Sequence, residues 1–231
     1  GGALAINAPL TATNSTVKLT GTTITDGASG YITADKLALL SGAVTLDHTS
    51  NNVGTLAASG VSSLTYVNSG ALTIGTVNPT GITATGDVRI ETLSGDLTVA
   101  ADVVTSSSTA TAVLLNAGKS TAAGTATGGN VLISGMPTIT AGTNGVIRLM
   151  GGSVTGSTGL TDLVGSGSGH FRYNSDEAAT RYSVALSPNV INAIYREQPT
   201  ATTNIDSFTV TYGYDHTTTL NNFKPDGTTA L

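Results

Sequence analysis

Gly86-Asp-Val-Arg-Ile-Glu-Thr-Leu-Ser-Gly-Asp-Leu-Thr-Val99 decides the fold. The stretch contains two short units, Asp87-Val-Arg-Ile90 and Asp96-Leu-Thr-Val99, each entered through a Gly-Asp pair. In both, branched apolar residues stand at i and i+2 with a polar residue between, the alternation of a strand that buries one face. The same signature occurs earlier in Val17-Lys-Leu19, Ala43-Val-Thr-Leu46, Leu64-Thr-Tyr66 and Ala71-Leu-Thr-Ile74. It returns in Ala112-Val-Leu-Leu115, Val131-Leu-Ile133 and Val146-Ile-Arg-Leu149. Thr between the apolar positions supports the strand, because its β-branch restricts χ1 in a way that suits the pleat. One stretch reads as helix-like, Asp35-Lys-Leu-Ala-Leu-Leu40, and Gly42 ends it.

Strands this short bury nothing alone, so they must stack. Equivalent apolar pairs recur from 44 to 64, 72 to 88, 97 to 113, 113 to 131 and 131 to 147, steps of 16–20 residues. Imperfect repetition at that period predicts one repeat per coil of a solenoid, each coil covering its neighbour's core. A sandwich of hairpins would want two-residue turns, and this region offers only Asp26-Gly27 and Asn144-Gly145. The expected fold is therefore all-β, a right-handed parallel β-solenoid (β-helix) with a C-terminal capping and junction segment.

The chain has 231 residues, of which 10% are charged, against about 25% in an average soluble domain. There is no Cys, which excludes a disulfide framework, a thiolate metal site and a Cys nucleophile. A net charge of −5 gives no electrostatic footprint for nucleic acid. No apolar run approaches the roughly 18 residues of a membrane span. Residues 1–170 hold 13 of the 23 charged residues and two of the ten aromatics, Tyr31 and Tyr66. The shift in chemistry places a boundary near Gly165-Ser-Gly-Ser-Gly169. The expected division is a repeat region over 1–169, a cap or junction over 170–199, and the start of a small β domain over 200–231. Gly1-Gly2-Ala3-Leu4 carries neither an initiator Met nor a signal peptide, as expected of a piece of a longer polypeptide.

Asn52-Val-Gly-Thr-Leu-Ala-Ala58, Ser69-Gly-Ala-Leu-Thr-Ile-Gly-Thr-Val77, Gly81-Ile-Thr-Ala-Thr-Gly-Asp-Val-Arg-Ile90 and Ser94-Gly-Asp-Leu-Thr98 carry a family resemblance. Together they resemble the repeat region of filamentous haemagglutinin-type adhesins and exoproteins, which Gram-negative bacteria export by two-partner secretion. Phe171-Arg-Tyr-Asn-Ser-Asp-Glu177 and Ala193-Ile-Tyr-Arg-Glu-Gln-Pro199 are similar to the junction that precedes arrays of small β domains in such proteins. Ser207-Phe-Thr-Val-Thr-Tyr-Gly213 resembles the opening of their Tyr-Gly-marked repeats. The family's secretion domain is not visible, and Asn78-Pro79-Thr80-Gly81 echoes its recognition motifs only weakly. The resemblance implies an extracellular or cell-surface protein with an outer-membrane secretion partner. Its other partners would be surface glycans, surface proteins or like filaments.

Candidate chemistry is sparse, and no catalytic, cofactor or metal residue is assigned. His48, His170 and His216 are far apart in sequence and lack the spacing of a metal site. Glycoside hydrolysis needs two carboxyls about 5–9.5 Å apart. Asp87, Glu91, Asp96 and Asp102 form the densest acidic group, with Arg89 the nearest cation. Asp87 and Asp96 follow Gly, where a carboxylate caps turn amides, and that bland role is expected for them. Thr83-Ala-Thr85, Thr109-Ala-Thr111, Thr125-Ala-Thr127 and Thr138-Ile-Thr140 are spaced by 26, 16 and 13 residues, too unevenly for an ice-matching lattice. Asn14-Ser-Thr16 is a glycosylation sequon expected to be a surface turn. Asn174 and Glu177 have capping-box spacing, which predicts a helical turn over Ser175–Arg181. Tyr195-Arg196-Glu197 reads as packing against the rod end in preference to a recognition patch. The function expected is a rigid stalk or surface filament with no enzymatic activity, and the alternative is a carbohydrate-active β-helix enzyme or glycan-binding module.

Overall fold

Alternating apolar and polar residues produce sixteen strands in the computed structural model, which describes residues 1–200. They are β1 (Leu4–Ile6), β2 (Leu10–Thr20), β3 (Thr23–Asp26), β4 (Ile32–Leu46), β5 (Asn52–Asn68), β6 (Leu72–Ile74), β7 (Ile82–Ala84) and β8 (Val88–Thr92). The chain continues through β9 (Leu97–Val99), β10 (Val103–Thr105), β11 (Val113–Asn116), β12 (Val131–Ile133), β13 (Ile139–Thr140) and β14 (Ile147–Gly151). A short helix, α1 (Leu160–Val164), precedes β15 (Phe171–Arg172) and β16 (Ile191–Tyr195). The small β domain expected over 200–231 and His216 lie, Thr200 apart, outside the described residues.

Every pairing between these strands is parallel, so the chain must travel round a closed coil before each strand meets its neighbour. The result is a parallel β-solenoid. One row stacks nine strands in the order β1, β3, β4, β5, β8, β11, β14, β16, β15. A second row carries β2, the first half of β4, the first half of β5, then β6, β9 and β12. A third row continues from the middle of β5 through β7, β10 and β13. The early strands β4 and β5 run across a corner without a break. In β4 the bend falls at Gly42, whose φ of 81° is open to glycine at no steric cost.

Coil length is not constant. Leu4 pairs with Ile24, Ile24 with Val44 and Val44 with Leu64, a step of 20 residues each time. The row then steps from Leu64 to Val88, Val113, Ile147 and Ile191, or 24, 25, 34 and 44 residues. The expected pairing of 44 with 64 is therefore present, but the shorter steps are not coils. Leu72 pairs with Leu97, and Val88 with Val113. A 16-residue step leads from one face of the solenoid to another, and all three faces carry the same apolar triplets. Asp35–Leu40 is also strand. It lies inside β4, where Leu37 and Leu39 point inward and the ladders to β2 and β5 override its helix-like spacing.

The core is a continuous column through the coils, including Ile24, Val44, Leu64, Val88, Val113, Leu149 and Ala193. At the C-terminal end β16 lies between β14 and β15. Tyr195 is buried there and stacks on Phe171 and Tyr173, with ring centroids 6.4 and 5.7 Å away, while α1 packs against β16. Residues 173–190, between β15 and β16, form neither helix nor strand. The helical turn expected over Ser175–Arg181 does not form. Asn174 adopts a left-handed φ of 51°, and Asp176 accepts the Ala178 amide at 2.7 Å and the Ala179 amide as well, leaving Glu177 to point elsewhere.

Candidate functional site

The acidic residues singled out in the sequence do not converge on one groove. Asp87 stands before β8, Asp96 before β9 and Asp102 before β10, at corners leading into three different rows. Asp96 accepts the Asn130 amide at 2.9 Å and Asp102 the Thr138 amide at 2.7 Å, each on the following coil. Asp87 accepts hydroxyl protons from Ser107, Thr109 (2.8 Å) and Thr111 (2.7 Å). Partial burial would raise its carboxyl, but those hydroxyls outweigh burial and hold it below the usual range. These are braces between coils.

The histidines are separated too. His48 stacks on Tyr31 at 5.7 Å, its Nδ1 accepts the Ser50 amide at 3.1 Å, and its Nε2 faces the Ala28 carbonyl at 3.2 Å. That pairing suits the neutral ring protonated on Nε2. His170 lies on the last coil, at an apolar groove of about 460 Å³ beside α1 that is also lined by Ile139, Ile147, Leu163 and Ile191. A second groove of about 500 Å³, lined by Ile133, Met136 and Pro137, shares Leu163. Among the described residues no three His, Asp or Glu side chains are grouped to hold a metal ion, and no helix is long and apolar enough to cross a membrane.

Glu91 behaves differently from the other acids. It points away from the core at the end of β8, yet its side chain has no exposure. Residues 173–190 cause this, because they fold back as a strap over the outer face of β8, β11, β14 and β16. Tyr182 and Leu186 of the strap pack on Leu114, Met150 and Ile194, the outward residues of β11, β14 and β16. Ser187 donates its amide to Asn192 at 3.1 Å, and Arg172 holds the Val184 and Ala185 carbonyls at 3.1 and 2.9 Å.

A polar clasp fastens the strap's far side. Arg89 reaches Glu91 Oε1 at 2.7 Å, and the same Nη2 lies 2.8 and 2.9 Å from the two oxygens of Glu177. Asn116, opposite Glu91 in the β11–β8 register, donates to Glu177 at 3.0 Å. Lys119 binds the other Glu91 oxygen at 2.5 Å. Burial pushes the Glu91 carboxyl up, and its hydrogen bond with Glu177 adds to the rise. Burial acts the same way on Glu177, but its bonds to Glu91, Arg89 and Asn116 prevail and leave it below the usual glutamate range. The sequence placed Arg89 beside Glu91; Lys119, Asn116 and Glu177 had no local signal, being 28, 25 and 86 positions away from Glu91.

Arg196 and Glu197 also act between coils. Arg196 is 2% exposed, and its guanidinium donates to the carbonyls of Ala117 (2.5 Å), Gly129 (2.7 Å) and Thr127 (3.1 Å). Glu197 accepts the Val154 amide at 2.8 Å. Both are engaged in loop bracing at the rod's C-terminal end. Of the Thr-x-Thr pairs, Thr83-Ala-Thr85 and Thr138-Ile-Thr140 lie along the third row with β10 between them, and the other two lie in loops. Thr25, Thr45 and Thr65, by contrast, stand in register on successive coils, a column visible in the sequence only at a spacing of 20.

Fold and site together define a parallel β-solenoid with a strap clasped to its flank. No protein-family model matches the chain, and neither does any curated protein or solved structure.

Proposed function

We propose that the chain is a rigid structural segment of a secreted bacterial adhesin, a stalk or surface filament exported through an outer-membrane partner. One observation carries this reading. Asp87, Asp96 and Asp102 each bind a neighbouring coil instead of facing a common cleft. Their chemistry goes into making a long, thin, low-charge stack hold together. The resemblance of the repeats to filamentous haemagglutinin-type exoproteins supports the same role and an extracellular location. Antibodies against the rod should label intact source cells without permeabilisation; labelling only after lysis would count against it.

A carbohydrate-active reading draws on one feature, the convergence of Glu91 and Glu177 with Arg89 and Lys119. The geometry disfavours it. Carboxyls in hydrogen-bond contact are closer than the roughly 5 Å of a retaining glycosidase pair, and Glu91 lies wholly beneath the strap. The purified chain should release no reducing ends or unsaturated products from a panel of neutral and acidic polysaccharides. Cleavage that disappears in Glu91→Gln would replace the stalk reading with the enzymatic one.

A further inference from the structure

We infer that Arg89 and Asn116 form a carboxylate-binding subsite on the rod's flank, occupied by the chain's own Glu177 as an internal pseudo-ligand. The donors stand on β8 and β11, adjacent rigid strands of the core stack. The ladder between them, and not the strap, sets their backbone positions. Glu91, fully buried behind them, fixes Arg89 through one oxygen and Lys119 through the other. Glu177 arrives from an irregular segment 88 residues beyond Arg89 and adds its carboxylate to that of Glu91 on the same guanidinium nitrogen. Arg89 Nη2 and the Asn116 amide both donate to Glu177 Oε2, at 2.9 and 3.0 Å, and Oε1 lies 2.8 Å from the same Nη2, so two donors and a positive charge converge on one carboxylate.

The rim is open. The Arg89 side chain is 36% exposed and that of Glu177 24%, so solvent reaches the contact from outside. Displacing Glu177 requires local opening of a segment without ladder hydrogen bonds, at little cost to the strands below. An external carboxylate could then take the same donors, with Lys119 adding positive potential at the edge. The ligand class is a carboxylate, carried by a uronic acid residue of a glycan or by an acidic peptide side chain. In that arrangement the strap is an autoinhibitory contact, and the inference stands whether or not the rod serves as a stalk.

Chemical rescue of the full chain tests it. Glu177→Ala should melt below the parent protein, and formate or acetate should restore part of the difference saturably. Chloride at equal ionic strength should not. Neither anion should shift the parent, whose site is filled, nor the Glu177→Ala, Arg89→Gln double variant. Oligogalacturonate and a short glutamate-containing peptide then separate the two sources, and whichever is preferred should bind Glu177→Ala at least tenfold tighter than the parent. A folded Glu177→Ala that ignores formate, or a double variant that responds equally, overturns the proposal. Should Glu177→Ala fail to fold, Glu177→Ser, which also leaves room for the anion, is measured by the same criteria, and failure of both to fold also overturns it, because the contact is then purely structural.

Discussion

Arg196 carries a charge to a place where only carbonyl oxygens meet it. Burial lowers its affinity for the proton, and the three carbonyls from residues 117, 127 and 129 take the place of water around it. Replacing it with Met would leave the buried Ala117 carbonyl without this donor, at about 1–3 kcal/mol, whereas Gly129 keeps the Gly152 amide at 2.8 Å and the Thr127 carbonyl can turn to water. Arg196→Met is expected to lose about 1–3 kcal/mol in chemical denaturation; a loss under about 1 kcal/mol would show that the loop satisfies itself. The aspartate braces are more modest. Asp96→Asn and Asp102→Asn should each cost about 0.5–2 kcal/mol, by analogy with helix caps. Gly81 faces a harder limit, since its φ is 69° and a Cβ would collide with the Asp102 carbonyl. Gly81→Ala therefore combines about 1–2 kcal/mol of left-handed strain with a displaced coil, and should destabilise more than either aspartate change.

At the scale of elements, the strap and the strands beneath it answer to different forces. The strands are held by ladders on both sides, while the strap depends on Tyr182, Leu186 and a few carboxylates. Asp176 is raised by burial, but the amides of Ala123, Ala179 and Ala178 outweigh this and hold it low, as the clasp does for Glu177. A depressed carboxyl stabilises the fold above its unfolded pKa, and that stabilisation disappears as pH falls through the folded value. Glu91, shifted upward, works in the opposite sense and gains from acid. Arg89, Lys119 and Asn116 face these carboxyls. The NMR resonances around Asp176 and Glu177, together with the Ala123 amide that Asp176 accepts, should therefore move below about pH 4 while the core-facing residues of β11 and β14 stay in place. Movement of the Ala123, Ala178 and Ala179 amides, which bind Asp176, between pH 5 and 7 would contradict the assignment. Sequence alone could not place this element, because an irregular segment has no periodicity to read.

For the whole molecule, nine stacked strands at about 4.8 Å make a row roughly 38 Å long. Circular dichroism should be β-rich with almost no helical signal, since α1 spans only Leu160–Val164. The last coil determines how the stack ends. Cutting the chain after Gly169 removes β15, β16 and the strap, which bares the β14 edge and uncovers Leu114 and Met150 together. Open parallel edges and apolar faces promote association. The shortened chain should aggregate or melt well below the parent in light scattering and thermal scans, and equal solubility would show that the upper coils close themselves.

The sequence by itself determined the class of structure. All nine alternating segments quoted from it fall on strands, five of them starting one residue early, from Val17-Lys-Leu19 in β2 to Ile147-Arg-Leu149 in β14, because inward-outward alternation is a local property of the chain. Their place after Gly predicts that Asp87 and Asp96 cap nearby turn amides, whereas Asp87 takes hydroxyls and Asp96 the Asn130 amide of the following coil. Only the tertiary structure decided which strand neighbours which. Leu72, Val88, Leu97 and Val113 are interchangeable apolar residues, and nothing local distinguishes one face of the coil from the next. The same holds for the clasp. Glu177 meets Arg89 because β16 slots between β14 and β15 and forces the intervening chain back over the flank, a consequence of topology that spacing along the sequence does not encode.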